Sequence, residues 1–390
     1  MLTFLIALSV LFALLALHPF VTYPLSLKFI RRCFSVTPSV VPPFAHLPPE
    51  DQKSIRFTVC MCVYNEEKVI DLKMRNLMML REHEPELEIL VYVDGATDST
   101  AAILGDYADR INLQVSHERL GKTHGMNLLV AQASAPVIVF TDANVLFKFD
   151  ALQKLRRYFN KPEIGCVCGN LIYTNEKESV TAASGSLYWR LEQTIKRLEE
   201  ETGSVMGADG SLYAIRRELH HAPPDYLIDD MYVSLMILCA GYRVVQATDV
   251  TAYESSVSSG QEEFRRKVRI ACQAFNVHRH LWLRIQKLDT LTVYKYVSHK
   301  VIRWFTIYSL ALSLIFLLAA LVAAGKSMIA ILLTISTLAG LLLGYLWAIK
   351  PFNQILDLLA ALSGAGIGVW QSIRGERYQT WTPAASIRKT

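Results

Sequence analysis

Residues 2 to 17 and most of 304 to 373 are nearly free of charge, while the stretch between them alternates short apolar runs with polar segments. From Ile55 the alternation is regular. Phe57 to Tyr64 is an apolar run of strand length, and Glu67 to Arg81 repeats apolar residues at helical spacing. Leu87 to Val93 predicts a second strand, Ser99 to Ala108 a helix, and Ile111 to Ser116 a third strand. Gly121 to Gln132 predicts a helix and Pro136 to Thr141 a fourth strand. Strands alternating with helices imply βαβ units, hence an α/β fold with a largely parallel sheet covered on both faces. In such sheets ligands bind at the carboxyl ends of the strands.

The charge-free ends point to a membrane. The first apolar run is about long enough to cross a bilayer at 1.5 Å per residue. No basic stretch precedes it and no small-residue cleavage pattern follows, so it reads as a retained anchor rather than a signal peptide. Lys28, Arg31 and Arg32 come next, which places the following residues in the cytoplasm. Trp304 to Ala324 and Met328 to Ile349 form an apolar hairpin. A weaker run, Phe352 to Ile373, carries Asp357 and the alternating glycines Gly364, Gly366 and Gly368, and it either spans or lies re-entrant. Four crossings would put the tail outside, whereas Arg374, Arg377, Arg388 and Lys389 favour the inside. The balance leans to a cytoplasmic tail. The predicted organisation is an anchor over 1–27, a linker over 28–54, a catalytic domain over 55–260, interfacial amphipathic helices over 261–300, membrane helices over 301–373 and a basic tail over 374–390.

Composition narrows this further. At 52% hydrophobic and 19% charged, the chain is neither disordered nor a disulfide scaffold, and a purely soluble protein is disfavoured. A net charge of +5 gives no support for a nucleic-acid partner. Seven cysteines include the pairs Cys60/Cys62 and Cys166/Cys168, but both sit in strand-like runs without the turns and histidines of a zinc site. They read as buried free thiols.

The predicted strand ends are polar. Tyr64-Asn65-Glu66-Glu67 follows the first strand, Asp94-Gly95-Ala96-Thr97-Asp98 the second, and Asp142-Ala143-Asn144 the fourth. Between them lies Arg119-Leu120-Gly121-Lys122. Acids at three strand ends and one basic loop are what a nucleoside diphosphate with a divalent metal needs. Each piece alone has a bland explanation. Asp94-Gly95 suits a turn, Asp98 a helix cap, and Asp229-Asp230 an acidic first helical turn.

Taken in order over residues 55 to about 285, these segments resemble the family 2 glycosyltransferases with the GT-A fold. Cys62-Val63-Tyr64-Asn65-Glu66 matches the first-strand motif without its proline, and Val93 to Asp98 matches the D-D-G-S-T-D element. Asp142-Ala143-Asn144 stands at the D-x-D, Gly210 to Arg217 at the G-x-x-x-A-x-R-R element, and Asp229-Asp230 at the E/D-D motif. The resemblance implies that Tyr64, Glu66 and Asp94 hold the base and ribose of a UDP-sugar and that Lys122 approaches the donor. It implies that Asp142 and Asn144 position the diphosphate through Mg²⁺ or Mn²⁺, with Asn144 departing from the usual second acid. Asp230 is then the general base of an inverting transfer. Asp229 and Gly210 border the acceptor, and Trp189 either stacks on an acceptor sugar or belongs to the core.

Processive relatives, the cellulose and hyaluronan synthases, carry Q-x-x-R-W after the base. Here Arg269 matches the arginine, which would contact the diphosphate, while Arg266 and Ile270 replace the glutamine and tryptophan. This favours a single transfer over a processive synthase, as does the small number of apolar runs, although an oligomer would still leave room for a channel. The basic, aromatic stretch 264–285 suits an amphipathic helix on the inner membrane surface or a plain connecting helix. The expected partners are a UDP-sugar, a lipid-linked or saccharide acceptor, and membrane lipids. The expected place is the plasma (inner) membrane, multi-pass, with a cytoplasmic catalytic domain serving envelope or exopolysaccharide assembly. An inactive membrane scaffold is the remote alternative.

Overall fold

The protein is described by a computed structural model over residues 1–33, 55–175, 180–255, 257, 259–347 and 349–381, with the side chains of 180–187 excepted. Most of the 28–54 linker, together with Arg388 and Lys389, lies outside the described residues.

One eight-stranded sheet organises the middle of the chain. Its strands are β1 (Phe57–Val63), β2 (Glu88–Asp94), β3 (Asn112–Ser116), β4 (Val137–Thr141), β5 (Leu146–Phe147), β6 (Ile164–Tyr173), β7 (Leu212–Arg216) and β8 (Arg243–Glu254), in the order β3-β2-β1-β4-β7-β6-β8-β5. The first four strands pair in parallel, as the alternation predicts. β7 runs antiparallel between β4 and β6. β1 and β4 are buried along their whole length, which is why they read as unbroken apolar runs rather than alternating ones. Cys60 and Cys62 in β1 and Cys166 and Cys168 in β6 are buried free thiols.

The helices are α1 (Leu2–Leu17), α2 (Thr22–Cys33), α3 (Ile70–His83), α4 (Thr100–Gly105), α5 (Lys122–Gln132), α6 (Ala151–Phe159), α7 (Val180–Glu201), α8 (Asp229–Cys239), α9 (Gly260–Ile285), α10 (Thr290–Tyr296), α11 (Ile302–Trp304), α12 (Thr306–Ala323), α13 (Ser327–Trp347) and α14 (Phe352–Ile373). A π-turn, Val297–Val301, joins α10 to α11. α3 and α6 pack on one face of the sheet, and α5, α8 and α9 on the other, giving two large cores.

Three helices, α12, α13 and α14, are long and apolar enough to cross a membrane. The anchor expected over 1–27 is not one straight helix. α1 ends at Leu17, and the chain bends by 67° into the amphipathic α2. The break coincides with Pro19: His18 still has helical geometry (φ −52°, ψ −53°) and donates to Leu14 O, but Pro19 has no N–H to continue the helix. His18 then bonds Thr22 at 2.7 Å and Ser298 at 3.0 Å, fixing the turn against the domain. α1 pairs with α12 through reciprocal bonds, Ser9 Oγ to Ser313 O at 3.0 Å and Ser313 Oγ to Ser9 O at 2.9 Å. Small polar residues between apolar helices favour such close contact.

The amphipathic face expected on 264–285 is present in α9, but protein covers most of it. Phe275 meets Trp304 at 5.4 Å, and α14 lies along the same helix. The contact with α14 is close because its glycines permit it: a Cβ on Gly368 would lie 2.3 Å from the Val268 carbonyl oxygen. Beneath the domain, His299 is fully buried between Glu192 (2.9 Å) and Glu199 (2.7 Å), and Tyr23 Oη donates to Glu199 at 2.6 Å. This network ties α2, α7 and the π-turn together.

Candidate active site

β2, β1 and β4 lie side by side and parallel, so their carboxyl ends share one edge. That edge collects Asp94 at the end of β2, Tyr64 just after β1 and Asp142 just after β4. Thr141 pairs with Leu212 of the antiparallel β7, so Gly210 and Ser211 enter at the same edge. α5 begins there with Lys122 and is stitched to the segment before α8. Thr123 Oγ1 donates to Leu227 O at 2.7 Å, Asn127 Nδ2 donates to Pro223 O at 2.9 Å, and His124 pairs with Asp225 at 3.0 Å. These ties bring Asp229 and Asp230, at the start of α8, over the sheet edge.

At the centre, Lys122 Nζ donates to Asp142 Oδ1 at 2.6 Å. The absence of a side chain at Gly210 is what lets the groups meet. A Cβ there would stand 3.0 Å from Asp230 Oδ2 and 3.3 Å from Lys122 Nζ. Burial and the neighbouring Asp229 push the Asp230 carboxyl up to about 7, against the pull of Lys122. Burial works against the Lys122 ammonium too, but Asp142 and Asp229 more than offset it and hold the lysine charged. Asp229 is buried and accepts from Tyr213 Oη at 3.3 Å. Arg269 projects from α9 into the field of Asp142 and Asp230, with its pKa drawn down to about 10 by burial and by Arg266. A carboxyl poised near neutrality beside fixed cations suits proton removal on one side and anion stabilisation on the other.

A second poised carboxyl, Glu254, follows the matched motifs in the sequence but is given no role by them. Glu254, at the end of β8, is buried and accepts from Asn144 Nδ2 at 2.8 Å and Ser211 Oγ at 3.3 Å. Burial raises it to about 7. The available signal was its place at a strand end. Asn144 therefore commits its amide nitrogen to Glu254. Asp142, the Asn144 amide oxygen and Glu254 form a hard oxygen set that fits a divalent cation whose remaining ligands come from phosphate. Among the described residues no cluster of three or more His, Cys, Asp or Glu could hold a metal unaided.

On the nucleotide side, Asp94 is fully buried. Its Oδ1 accepts the amides of Leu120 (2.7 Å) and Gly121 (3.0 Å), so it shapes the basic loop. Glu66 is buried at the same edge, its amide donating to Thr100 Oγ1 at 2.8 Å. Asp98 accepts from the Thr100 amide at 3.0 Å and from the Glu67 amide at 3.1 Å, the structural use expected of a cap-like acid. Asn65 adopts φ 52° and exchanges bonds with Thr97, locking the two loops together. Tyr64 carries the Arg119 guanidinium 3.6 Å over its ring. Trp189 is half-buried, donates Nε1–H to Leu171 O at 2.8 Å and meets Tyr173 edge-on, so its ring packs against β6.

Residues 58–222 match the model of the family described as Glycosyl transferase family 2. The matched segment contains β1 to β4, β7 and the strand-end loops that form the candidate site. Similar proteins include a poly-beta-1,6-N-acetyl-D-glucosamine synthase of Staphylococcus epidermidis, 23% identical over 205 residues, covering 50% of this chain and 48% of that protein. An N-acetylglucosaminyltransferase of a Rhizobium species is 22% identical over 242 residues, covering 58% and 54%. The chain thus spans about half the length of these relatives. A solved mannosyltransferase of Pyrobaculum calidifontis, in complex with GDP-Man and Mn²⁺, superposes with a TM-score of 0.70 at 21% identity over 95% of this chain and 99% of that one. That likeness establishes the GT-A fold and extends beyond the glycosyltransferase domain into the apolar helices.

Proposed function

We propose that this protein transfers a sugar, with inversion, from a UDP-sugar to a lipid-linked acceptor at a membrane surface, with Asp230 as general base. The observation that carries this reading is the Asp230 carboxyl, raised to about 7, beside the Lys122–Asp142 pair and Arg269. Asp230 takes the proton of the acceptor hydroxyl as its oxygen attacks the anomeric carbon. The bond from that carbon to the diphosphate oxygen breaks, and Lys122 and Arg269 offset the charge of the departing diphosphate. A divalent ion, Mg²⁺ or Mn²⁺, held by Asp142, Asn144 and Glu254 would supply further charge neutralisation at the diphosphate. The Mn²⁺ in the mannosyltransferase structure supports this choice.

The membrane arrangement supports an acceptor delivered from lipid. α12 leaves the domain at Thr306, and α13 returns after Gly325-Lys326. α14 starts against α13, where a Cβ on Gly344 would meet Phe352, and it ends against α9. Both of its ends therefore lie on the domain side. In our reading α1, α12 and α13 cross the plasma membrane, α14 lies along its inner surface, and the domain and tail are cytoplasmic. This removes the conflict between the third C-terminal apolar run and the basic tail.

The test is nucleoside-diphosphate release by the full chain in detergent, over a panel containing UDP-GlcNAc and GDP-Man because relatives are named for those sugars. The product lipid is identified by mass spectrometry. Turnover with UDP-sugar that survives intact in Asp230→Asn would remove the base. A polymer of high mass growing from donor alone would replace single transfer with processive synthesis.

A further inference from the structure

We infer that the C-terminal tail is a wall of the donor site, and that Trp381 and Arg119 recognise the nucleobase through its π-face and its ring carbonyls. The inference rests on the glycosyltransferase reading above and deepens it.

The tail Arg374–Trp381 leaves α14 and crosses the domain along a fixed path. Asn276 Nδ2 donates to Glu376 O at 3.0 Å and Gln273 Nε2 donates to Tyr378 O at 2.8 Å, both from α9. Arg377 sits 4.2 Å over the Tyr226 ring. Gln379 Nε2 then donates to Leu120 O at 2.9 Å, in the loop whose amides hold Asp94. The fit is close. Gly121 adopts φ 98°, and a Cβ there would lie 2.3 Å from the Gln379 carbonyl oxygen. Gly121 thus serves two ends, a backbone conformation that disfavours side chains and a seat for the tail.

The tail delivers Trp381 to the nucleotide side of the cleft, where its ring stands edge-on to Tyr64 at 6.3 Å. Arg119 covers the Tyr64 ring, yet its Nε and Nη2 atoms are buried with no hydrogen-bond partner. Unsatisfied buried donors are costly and uncommon, so their presence beside two aromatic rings calls for an acceptor. A planar heterocycle with ring carbonyls meets all three groups. Its face stacks on Trp381, whose ring is inclined to Tyr64, and its oxygens accept from the Arg119 guanidinium that lies over Tyr64. Uracil and guanine have such carbonyls and adenine has none. Arg269 joins the two halves of the site, because its Nη1 donates to Gln273 Oε1 at 3.1 Å and Gln273 holds the tail. A helix that faces the diphosphate therefore also positions the base-binding wall.

The test is binding of UDP, GDP and ADP to the full chain in detergent, by calorimetry and tryptophan fluorescence. The wild type is expected to bind UDP or GDP at least tenfold more tightly than ADP, and to show quenching that Trp381→Ala lacks. Trp381→Ala should lose about tenfold in affinity for the preferred nucleotide, the scale of one base–aromatic stack. Arg119→Ala should bring the preferred nucleotide and ADP to similar affinity, and Arg119→Lys should not restore the preference. A chain ending at Arg374 should behave like Trp381→Ala, and the point variant serves if the truncated chain does not fold. Wild-type affinity and quenching in Trp381→Ala, or a preference for ADP, would overturn the assignment. Binding of none of the three by the wild type would overturn the glycosyltransferase reading itself, and this inference with it.

Discussion

Asparagine at position 230 should stabilise the protein while abolishing its activity. Asp230 is partly accessible, yet burial and Asp229 raise its carboxyl from 3.8 to about 7. In the unfolded chain it ionises near its ordinary value. Between about pH 4 and pH 7 the folded protein therefore keeps a proton that the unfolded chain has released. Stability falls as pH rises through that window and levels off above it. At about 1.36 kcal/mol per tenfold change in proton affinity, the full displacement corresponds to roughly 4 kcal/mol. Solvent screening of a partly accessible group reduces this to roughly 1–2 kcal/mol. Asparagine has the same shape and no proton to lose. Thermal melts in detergent should show Asp230→Asn level with wild type near pH 4 and more stable by a few degrees at pH 8. Turnover should fall by about 10²–10⁴, and the wild-type rate should rise with pH through about 7. A stability difference that does not change between pH 4 and 8, or a variant with wild-type turnover, would refute the reasoning.

Other perturbations follow from the same geometry. Gly210→Ala would place a methyl group 3.0 Å from Asp230 Oδ2 and 3.3 Å from Lys122 Nζ, both at ends of movable side chains. Turnover should drop by about tenfold or more while the melting temperature moves little, since no backbone must shift. Lys73 is fully buried, donates to Thr141 Oγ1 (3.0 Å) and Val145 O (2.5 Å), and is drawn by burial down to about 7. The unfolded chain holds that proton to higher pH, so wild-type stability relative to Lys73→Met should rise from pH 7 towards 10, read from paired melts. Glu192→Ala removes the partner of His299 and Arg303 within a buried network. It should cost about 3–5 kcal/mol, measured by thermal or denaturant unfolding.

Much of the fold follows directly from the sequence. Strand-length apolar runs separated by helical periodicity predicted the parallel half of the sheet, because that pattern is local. The acids at strand ends were expected to converge, because parallel neighbouring strands must present their carboxyl ends together. Tyr64, Asp94, Lys122, Asp142, Gly210, Asp229 and Asp230 all reach that edge. The limits of local pattern show in particular residues. The apolar run over 1–27 concealed the bend at His18-Pro19, which hydropathy averaging cannot see. The basic, amphipathic face of α9 suggested lipid, but α14 occupies it. Asn144 matched a motif position, and only the fold shows that it donates to Glu254, 110 residues away. His299 carried no signal, being one histidine among Lys295, Lys300 and Arg303, yet it sits between two buried glutamates.

The sequence by itself thus determined the domain type, the chemistry available at the strand ends and the two apolar termini. Local propensity and periodicity act over a few residues and survive in one dimension. The tertiary structure decided which distant groups share a cleft. Gln379 meets Leu120 across 259 residues, and that contact places a basic tail after the last apolar helix beside the loop that holds Asp94. No periodic pattern can encode such a meeting, because it is fixed by how the sheet edge, α9 and α14 pack together in space.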